Sequence, residues 1–304
     1  MILDNSTWSV KDKYVLITGA TSGIGLAAVK ELASRGANIG IIARNQGKAN
    51  KVANELKQSL GHKKNIDVFL ADMASQQSIR KAAAEILTKC PKIDILINNA
   101  GALFEKRQLT EDGIEMTWAV NYLAPFLLTS LLIERMKENE HARIITTASH
   151  GHKMAKTGIN FDDLSAEKLY KSPKKFFGGP TLRYGETKLA NILFTLELAK
   201  KLKGTNVSSY CFDPGLVATN FNQNNGWLAR STMAVMKIFS RTPEKGAETL
   251  VWLADSDEVT DHSGLYYADM EVATPSVQAQ NIDSAKKLWK ISEDQVQHSL
   301  KLIS

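Results

Sequence analysis

Cysteine is scarce in this sequence, and the two that occur are far apart. Cys90 and Cys211 are the only cysteines in 304 residues. Two scattered cysteines form no disulfide framework, so two free thiols in a reducing compartment are expected. Six histidines occur, among them His150 and His152, but no cysteine or acidic residue stands at zinc-ligand spacing around them. The sequence therefore predicts no metal site.

Signals for targeting or for crossing a membrane are also missing from the pattern. Residues 1–13 carry polar and acidic side chains where a signal peptide needs a basic start and an apolar run. No apolar run approaches the roughly 20 residues that a spanning helix requires. We therefore expect a cytoplasmic protein.

Charge of one sign is in only slight excess. The 38 basic and 32 acidic residues give a net charge of +6, and hydrophobic residues make up 43% of the chain. The basic residues are spread out, without the interleaved aromatic side chains of nucleic-acid-binding surfaces. This composition is typical of a folded globular protein. The small positive excess is weak evidence for an anionic cofactor, and the charge pattern gives no evidence for nucleic-acid binding.

Short apolar segments alternate with helical patterns along the chain. Apolar runs bounded by turn residues predict strands buried in a parallel sheet, and the alternating order predicts a doubly wound α/β fold with helices on both faces. The predicted strands are 14–18, 38–43, 66–71, 93–97 and 143–148, and the predicted helices are 26–35, 46–60, 76–89, 111–137 and 183–202.

A glycine-rich turn joins the first predicted strand to the first helix. Its spacing is Gly19-x-x-x-Gly23-x-Gly25. Glycine allows a tight turn and lets backbone N–H groups at a helix N-terminus approach a pyrophosphate. Glycine turns also occur for purely structural reasons. The strand, turn and helix context favours dinucleotide binding.

Arg44 ends the second predicted strand and lies 19 residues after Gly25. At this distance an acid accepts a hydrogen bond from a ribose 2′-hydroxyl, whereas an arginine pairs with a 2′-phosphate. No acidic residue occurs between Glu31 and Glu55. The sequence therefore favours NADP(H) over NAD(H). An arginine that merely ends a strand in solvent is the alternative.

Polar or small residues follow the next three predicted strands. Asp72 is placed to accept from an adenine amino group, residues 98–101 read Asn-Asn-Ala-Gly, and Ser149 follows the fifth strand. Open α/β sheets bind ligands at the carboxyl ends of their strands. We expect these residues to line such a crevice, although Asn-Asn-Ala-Gly also suits a simple turn.

Pro125 lies inside the predicted helix 111–137. Because proline has no N–H, the Asn121 carbonyl loses its i+4 donor, and the helix is expected to kink. A carbonyl freed in a cleft can bind an ordered water. A proline tolerated as a kink is the alternative.

Tyr184 and Lys188 are four residues apart in the predicted helix 183–202, so they share one face. A free phenol with a pKa of about 10 is a poor proton donor or base at neutral pH. A nearby cation stabilises the phenolate and lowers that pKa. The pair alone is weak evidence, since a surface helix can hold both side chains in water.

These segments together resemble the short-chain dehydrogenase/reductase family. The similar motifs, in the family's order, are Thr18-Gly19-Ala-Thr-Ser-Gly23-Ile-Gly25, Asn98-Asn-Ala-Gly101, Asn121, Ser149, Tyr184-x-x-x-Lys188 and Asp213-Pro-Gly215. Residues 158–164, 188–191 and 263–289 look like the retinol dehydrogenase-like branch. The resemblance implies one Rossmann-like domain over residues 1–304, with a seven-stranded parallel sheet.

The resemblance also implies a catalytic tetrad of Asn121, Ser149, Tyr184 and Lys188. Tyr184 would give its proton to the developing alkoxide, and Ser149 would stabilise the same oxygen. Lys188 would lower the Tyr184 pKa and hold the nicotinamide ribose. The Asn121 carbonyl would bind a water that joins Lys188 to solvent.

Residues that would contact the dinucleotide lie in the same motifs. They are Gly19, Thr21, Ser22, Gly23, Ile24, Gly25, Arg44, Asp72, Met73, Asn99, Ala100, Gly101, Tyr184, Lys188, Pro214, Gly215, Val217 and Thr219. Thr219 is expected to contact the nicotinamide-side phosphate or the carboxamide.

Two segments beside the tetrad depart from the family pattern. Residues between 149 and 184 include Lys153, Lys156, Lys168, Lys171, Lys174 and Lys175, and we expect a surface excursion there. Residues 222–241 combine apolar and basic side chains, and a substrate lid is expected within 216–241. A membrane contact, a subunit interface and core packing are the alternatives for the second segment.

The expected activity is hydride transfer between NADP(H) and a lipophilic ketone, aldehyde or alcohol, by a carbonyl reductase or alcohol dehydrogenase. The alternative is a non-catalytic NADP(H)-binding sensor or scaffold. The expected partner is a small-molecule substrate, with no nucleic acid and no transmembrane segment. Peripheral membrane contact and a homo-oligomer stay open.

Overall fold

An eight-stranded sheet lies at the centre of the computed structural model, which describes residues 8–60, 65–171, 178–217, 241–260 and 262–301. Its strands are β1 Tyr14–Thr18, β2 Asn38–Ala43, β3 Ile66–Leu70, β4 Ile95–Asn98, β5 Ala142–Thr147, β6 Val207–Asp213, β7 Tyr266–Ala268 and β8 Glu271–Val272. They are ordered β3-β2-β1-β4-β5-β6-β7-β8.

Seven of these strands are parallel, and the eighth is not. Every neighbouring pair from β3 to β7 is parallel, whereas β8 runs antiparallel to β7. The prediction of a seven-stranded sheet was therefore one strand short. Because β8 consists of two exposed residues, Glu271 and Val272, it has no buried apolar run that a sequence pattern could reveal.

Helices cover both faces of the sheet, as the alternating pattern predicts. They are α1 Gly23–Ser34, α2 Gln46–Leu60, α3 Gln76–Lys89, α4 Met116–Lys137, α5 Glu167–Lys171, α6 Gly179–Lys201, α7 Pro243–Asp255 and α8 Ile282–Lys301.

The core consists of two apolar layers, one on each side of the sheet. Val15 and Ile17 of β1 pack in the layer that contains Leu32 of α1. Leu16, between them, packs in the opposite layer with Ile79 of α3. Successive side chains of a strand point to opposite faces, so a continuous apolar strand is buried on both sides.

The direction of strand order reverses between β1 and β4. At such a reversal the loops that follow the two strands diverge and leave a crevice at the carboxyl ends. The glycine turn follows β1, and residues 98–101 close β4 and continue beyond it. The fold therefore places two of the predicted motifs on the two sides of one crevice.

Helix α4 begins later than predicted, at Met116 instead of residue 111. Glu115 is its N-cap: Oε1 accepts from the Thr117 N–H at 2.9 Å and Oε2 from the Trp118 N–H at 3.0 Å. In place of a simple kink, a π-helical turn over Ala119–Leu123 precedes Pro125.

Helix α4 is also the one described helix that is long and apolar enough to cross a membrane. Its most apolar window has a mean hydropathy of 1.5, but 72% of that window is buried inside the protein. An apolar helix of this length is not expected from the sequence pattern, in which no apolar run approaches the length of a spanning helix. A core helix passes the same test, and the burial of α4 against α3 and the sheet accounts for its composition.

The described residues between Ser149 and the start of α6 pack against the rest of the protein. Its described lysines are exposed, as expected of solvated side chains: Lys153, Lys156, Lys168 and Lys171. Lys174 and Lys175 lie outside the described residues. In the same segment, however, His152 is fully buried and Tyr170 is nearly so. The surface excursion therefore packs into the protein at several points.

A buried charge cluster ties this segment to α4 and α6. The Arg183 guanidinium donates to Glu115 Oε2 at 2.8 Å and to Glu186 Oε2 at 3.0 Å, and also to the Leu164 carbonyl. Its carbon lies 4.7 Å from the centre of the Trp118 ring. A buried arginine needs such partners to offset its desolvation. The cluster fixes the helix position immediately before Tyr184.

Candidate active site

The turn after β1 leaves no room for a side chain at Gly19 or Gly25. A Cβ on Gly19, whose φ is +71°, would lie 2.9 Å from the Ala100 Cα, and a Cβ on Gly25 would lie 2.3 Å from the Gly19 carbonyl oxygen. Gly23 also has a positive φ, of 56°. These contacts let the backbone of residues 99–101 pack directly on the turn, which glycine alone permits.

The N-terminus of α1 opens from this turn. Its N-cap, Ser22, makes no side-chain capping hydrogen bond, and the first turn contains no acidic residue. Thr21, Gly23 and Ile24 are half-buried, and Ser22 is exposed. A helix start with free N–H groups and no competing carboxylate is a site for an anion such as a pyrophosphate.

Thr18 connects the glycine turn to the segment after β4. Its hydroxyl oxygen accepts from the N–H groups of Asn99 at 2.9 Å and Ala100 at 3.0 Å. The Asn99 amide donates to the Thr18 carbonyl at 3.1 Å, and Thr147 at the end of β5 donates to Asn99 Oδ1 at 3.3 Å. Neither threonine was among the predicted site residues, because their contacts join strands distant in sequence.

Arg44 and Asp72 lie at the carboxyl ends of β2 and β3, on the open side of the crevice. Both are exposed. The Asp72 carboxylate accepts from the Ala74 N–H at 2.9 Å, and Met73 beside it is half-buried. No ion pair joins Arg44 to another described residue. An exposed guanidinium at this edge can bind a phosphate through two N–H groups.

Ser149 and Tyr184 face each other across Gly151. A Cβ on Gly151 would lie 3.3 Å from Tyr184 Cε1 and 3.4 Å from Ser149 Oγ. Ser149 Oγ accepts from the Gly151 N–H at 3.1 Å and hydrogen-bonds with the Tyr184 hydroxyl. The two hydroxyls therefore form a hydrogen-bonded pair at the end of β5.

Lys188 lies beneath this pair and is almost fully buried. Its Nζ donates to the Thr147 carbonyl at 2.8 Å and lies 5.5 Å from the centre of the Tyr184 ring. A Cβ on Gly101 would be 3.7 Å from this nitrogen and 3.5 Å from Asn121 Oδ1. All four predicted tetrad residues therefore come together beside the crevice.

Burial has the largest effect on the pKa values of Lys188 and Tyr184. It lowers the pKa of Lys188 to about 8, while the Asp213 carboxylate raises that pKa. Burial also raises the pKa of Tyr184, the hydrogen bond with Ser149 lowers it, and Asp213 raises it. The expected lowering of the Tyr184 pKa is therefore not the net direction in this structure, because desolvation of the phenolate is the largest effect.

Asn121 lies in the π turn and is fully buried. Its side-chain oxygen accepts from the Ala102 N–H at 2.7 Å, and its amide donates to the Ala102 carbonyl at 2.8 Å and to Thr187 Oγ1 at 3.2 Å. Its backbone carbonyl, where a water is expected, accepts from the Asn191 amide at 3.1 Å. The protein itself thus supplies a donor to that carbonyl.

Residues after β6 return to the glycine turn. Gly215, at φ +74°, donates its N–H to Asp213 Oδ1 at 2.9 Å, and Pro214 between them is buried. A Cβ on Gly246 would touch both Val217 at 2.5 Å and Ile24 at 3.3 Å, so Val217 lies near the start of α1. The structure brings these parts of the predicted cofactor site together.

Thr219 and residues 218–240 of the predicted lid lie outside the described residues. Arg241, at the end of that range, forms an isolated bridge with Val217. Its guanidinium pairs with the Asp269 carboxylate, one of the two contacts at 3.0 Å. The described part of the predicted lid range thus begins and ends at the carboxyl edge of the sheet.

This fold and these motifs define a class of protein. The short chain dehydrogenase family matches residues 13–160. The chain is 37% identical to retinol dehydrogenase 11 of Homo sapiens over 95% of this chain and 87% of that protein. It therefore belongs to the short-chain dehydrogenase/reductase family, whose members are oxidoreductases that use a nicotinamide cofactor.

Within that family the chain is retinol dehydrogenase-like. It is 39% identical to retinol dehydrogenase 14 of Mus musculus over 92% of this chain and 85% of that protein. A crystal structure of an uncharacterised protein from Mycobacterium paratuberculosis superimposes with a TM-score of 0.73, at 26% identity and 96% coverage of both chains. L-sorbose reductase from Gluconobacter frateurii, complexed with NADPH and L-sorbose, shares the fold: TM-score 0.66, 23% identity, 86% and 96% coverage.

Proposed function

We propose that this protein is an NADP(H)-dependent oxidoreductase that transfers a hydride between nicotinamide and the carbonyl or alcohol carbon of a lipophilic ketone, aldehyde or alcohol. The observation that carries the proposal is the cluster of Ser149, Tyr184, Lys188 and Asn121 beside the crevice. The hydroxyl pair and the buried amine lie at the carboxyl edge, next to the glycine turn.

The cofactor fits the residues present. Residues 99 and 100 pack closely on Gly19, and the α1 N-terminus offers N–H donors with no acidic residue in its first turn. Exposed Arg44 is the cation that favours a 2′-phosphate over a free 2′-hydroxyl. These residues would hold the pyrophosphate and the adenosine phosphate.

Bound NADPH supplies a hydride for the carbonyl carbon. Tyr184 then gives its proton to the oxygen that becomes the alcohol, and Ser149, already hydrogen-bonded with Tyr184, donates to the same oxygen and stabilises its developing charge. Tyr184 is protonated at neutral pH, but burial raises its pKa and makes it a weaker acid, so its proton transfer depends on neighbours that stabilise the phenolate. Lys188 below it supplies positive charge when the phenol loses its proton.

The substrate class follows from two sources. The retinol dehydrogenase relatives act, by their names, on retinol, which is an apolar alcohol. In addition, residues 222–241 are rich in apolar side chains, which suits a lid over an apolar substrate. The cytoplasmic location and the single domain stay predictions.

A panel of ketones and aldehydes, including retinal, tests the proposal. Purified protein should oxidise NADPH with at least one apolar member and should reduce NADP⁺ with the corresponding alcohol. Tight NADPH binding without turnover of any member would contradict it and favour a non-catalytic sensor. Absence of both binding and turnover would contradict cofactor use altogether.

A further inference from the structure

Asn191 lies on α6 three residues beyond Lys188, on the same side of the helix. Its side chain is buried, with 1% exposure. Its amide nitrogen donates to two backbone carbonyls, those of Asn121 and Thr147, both at 3.1 Å. A single carboxamide therefore bridges α6, the π turn of α4 and the end of β5.

Each of these carbonyls belongs to a segment that holds a tetrad residue. Thr147 is the last residue of β5 and lies two positions before Ser149. Asn121 lies four positions before Pro125, so its carbonyl has no i+4 donor. Because a buried carbonyl without a partner costs free energy, Asn191 stabilises the arrangement in which both segments meet α6.

Lys188 shares one of these oxygens. Its Nζ donates to the Thr147 carbonyl at 2.8 Å, so this oxygen accepts from the ammonium and from the Asn191 amide together. A carbonyl oxygen has two lone pairs and can take both donors. With the amide in place, the Thr147 carbonyl stays paired whichever acceptor the ammonium serves.

The other half of the carboxamide is left without a partner. Asn191 Oδ1 is buried and has no hydrogen-bond partner among the described residues. The reverse orientation of the amide would place its oxygen against two carbonyl oxygens. The side chain is thus oriented by its two donor bonds, at the expense of its acceptor, and such unpaired groups require an explanation.

We propose that Asn191 is a positioning residue of the active site. Its amide fixes the Asn121 and Thr147 carbonyls relative to α6, and thereby sets where the Lys188 ammonium and the Ser149 hydroxyl lie. This inference rests on the proposed function, since it assigns Asn191 to the preparation of a nicotinamide site. Asn191 itself touches neither reacting atoms nor substrate.

Asn139 offers a matched control. It is also buried, at 4% exposure, and its amide donates to a backbone carbonyl, that of Ile93, at 2.7 Å. Ile93 lies before β4 begins, at the opposite edge of the sheet from the crevice. Replacing Asn139 removes the same kind of bond at the end of the sheet opposite the tetrad.

The experiment compares Asn191→Leu, Asn191→Asp and Asn139→Leu with the wild type by NADPH fluorescence titration, steady-state kinetics and thermal melting. The two leucine variants should melt at similarly reduced temperatures. Of these two, only Asn191→Leu should also change function. It should raise the NADPH dissociation constant by about tenfold and lower kcat by about 10- to 100-fold, as misplacement of a catalytic group does.

The pH profile provides a second readout. Without the amide, Lys188 is the main donor to the Thr147 carbonyl, which favours its charged form and should move the lysine-dependent limb of the kcat profile upward by about half a pH unit. Asn191→Asp keeps the size, removes the donor and adds negative charge, so it should move that limb further. It also serves if the leucine variant does not fold.

The outcomes separate the two proposals. NADPH binding by wild type together with unchanged binding, kcat and pH profile in both Asn191 variants would overturn the positioning role alone. Equal losses in Asn191→Leu and Asn139→Leu would also overturn it, since they would indicate a general effect on folding. Failure of wild type to bind NADPH would instead overturn the proposed function.

Discussion

The two ends of the crevice differ in how far their polar side chains are exposed and hydrogen-bonded. At the open end, after β2 and β3, Arg44 and Asp72 are exposed. At the buried end, after β4 and β5, Asn121 is 0% and Lys188 is 3% exposed, and both are hydrogen-bonded to neighbouring segments. Recognition of a phosphate needs only an accessible charge, whereas proton transfer needs groups held in place away from water.

This difference predicts how each end responds to substitution. A change at the open end should alter affinity or cofactor preference and leave the fold intact. A change at the buried end should alter chemistry and stability together, because the same groups serve both. Four predictions test the contrast.

The largest effect is expected at Tyr184. Tyr184→Phe removes the hydroxyl that pairs with Ser149, so turnover should fall by about 10²- to 10⁴-fold, the range of a lost general acid. The control is Tyr122→Phe, which removes a buried hydroxyl bonded to Ser292 Oγ at 2.6 Å and should lose only about 1 kcal/mol of stability. Similar turnover in the two variants would refute the assignment.

The effect of Lys188 on the free energy of unfolding should depend on pH in a defined direction. Its pKa in the folded chain, about 8, lies below the ordinary value of about 10.4. Below pH 8 both states hold the proton, and the folded state bears the full cost of a buried charge. Between pH 8 and about 10.4 only the unfolded state keeps the proton, so the free energy of unfolding rises with pH.

Lys188→Met removes this titration. At pH 7 the variant should therefore be more stable than the wild type, by up to about 3 kcal/mol, and its advantage should shrink as pH approaches 10. Urea unfolding at pH 7 and near pH 10 measures both. A stability advantage of the variant that grows with pH would contradict the destabilising burial of a charged Lys188.

Gly25 tests the turn between the two ends. An alanine Cβ there would lie 2.3 Å from the Gly19 carbonyl oxygen, so Gly25→Ala should destabilise the protein by about 1–3 kcal/mol and weaken dinucleotide binding. Gly47→Ala is the control: its nearest contact would be Asn45 Oδ1 at 3.5 Å, and the helix should gain up to about 1 kcal/mol. Equal melting temperatures for the two variants would contradict this packing.

Arg44 should show the smallest and most local effect. Arg44→Asp should lower the ratio of kcat/KM for NADPH to that for NADH by about 10- to 100-fold, the value of a lost charge-assisted pair. Its melting temperature should not change. Lys57→Asp, at the far end of α2, makes the same charge change away from the crevice. A comparable shift in that control would assign the preference to overall charge.

Much of the fold was predictable because its signals are local. The apolar runs of β1, β2 and β3 are found within one residue of their predicted bounds, since turn residues flank each buried strand. The start of α4 was misplaced because Glu115 caps that helix from within a polar stretch. Strand β8 was missed because an exposed pair of residues carries no apolar pattern.

The site divides in the same way. Tyr184 and Lys188 could be paired from helical spacing alone, and the motif order implied that Ser149 and Asn121 would join them. The roles of Thr147 and Asn191 could not be inferred, because a side-chain amide bound to distant carbonyls has no spacing rule. The direction of the Tyr184 pKa was wrong for a related reason: burial is a property of the packed structure.

The π turn of α4 has a consequence for comparing relatives. A π turn contains one residue more than the α turn it replaces, so it behaves as a single-residue insertion that does not interrupt the helix. Removing one residue from Ala119–Leu123 would convert the π turn into an ordinary α turn and leave the helix on its two sides in register. Trp118 would keep its place against Arg183, whereas Asn121 would lose the widened turn that holds it. A relative without this extra residue is therefore expected to keep partners for the arginine next to its tyrosine and to hold its asparagine differently.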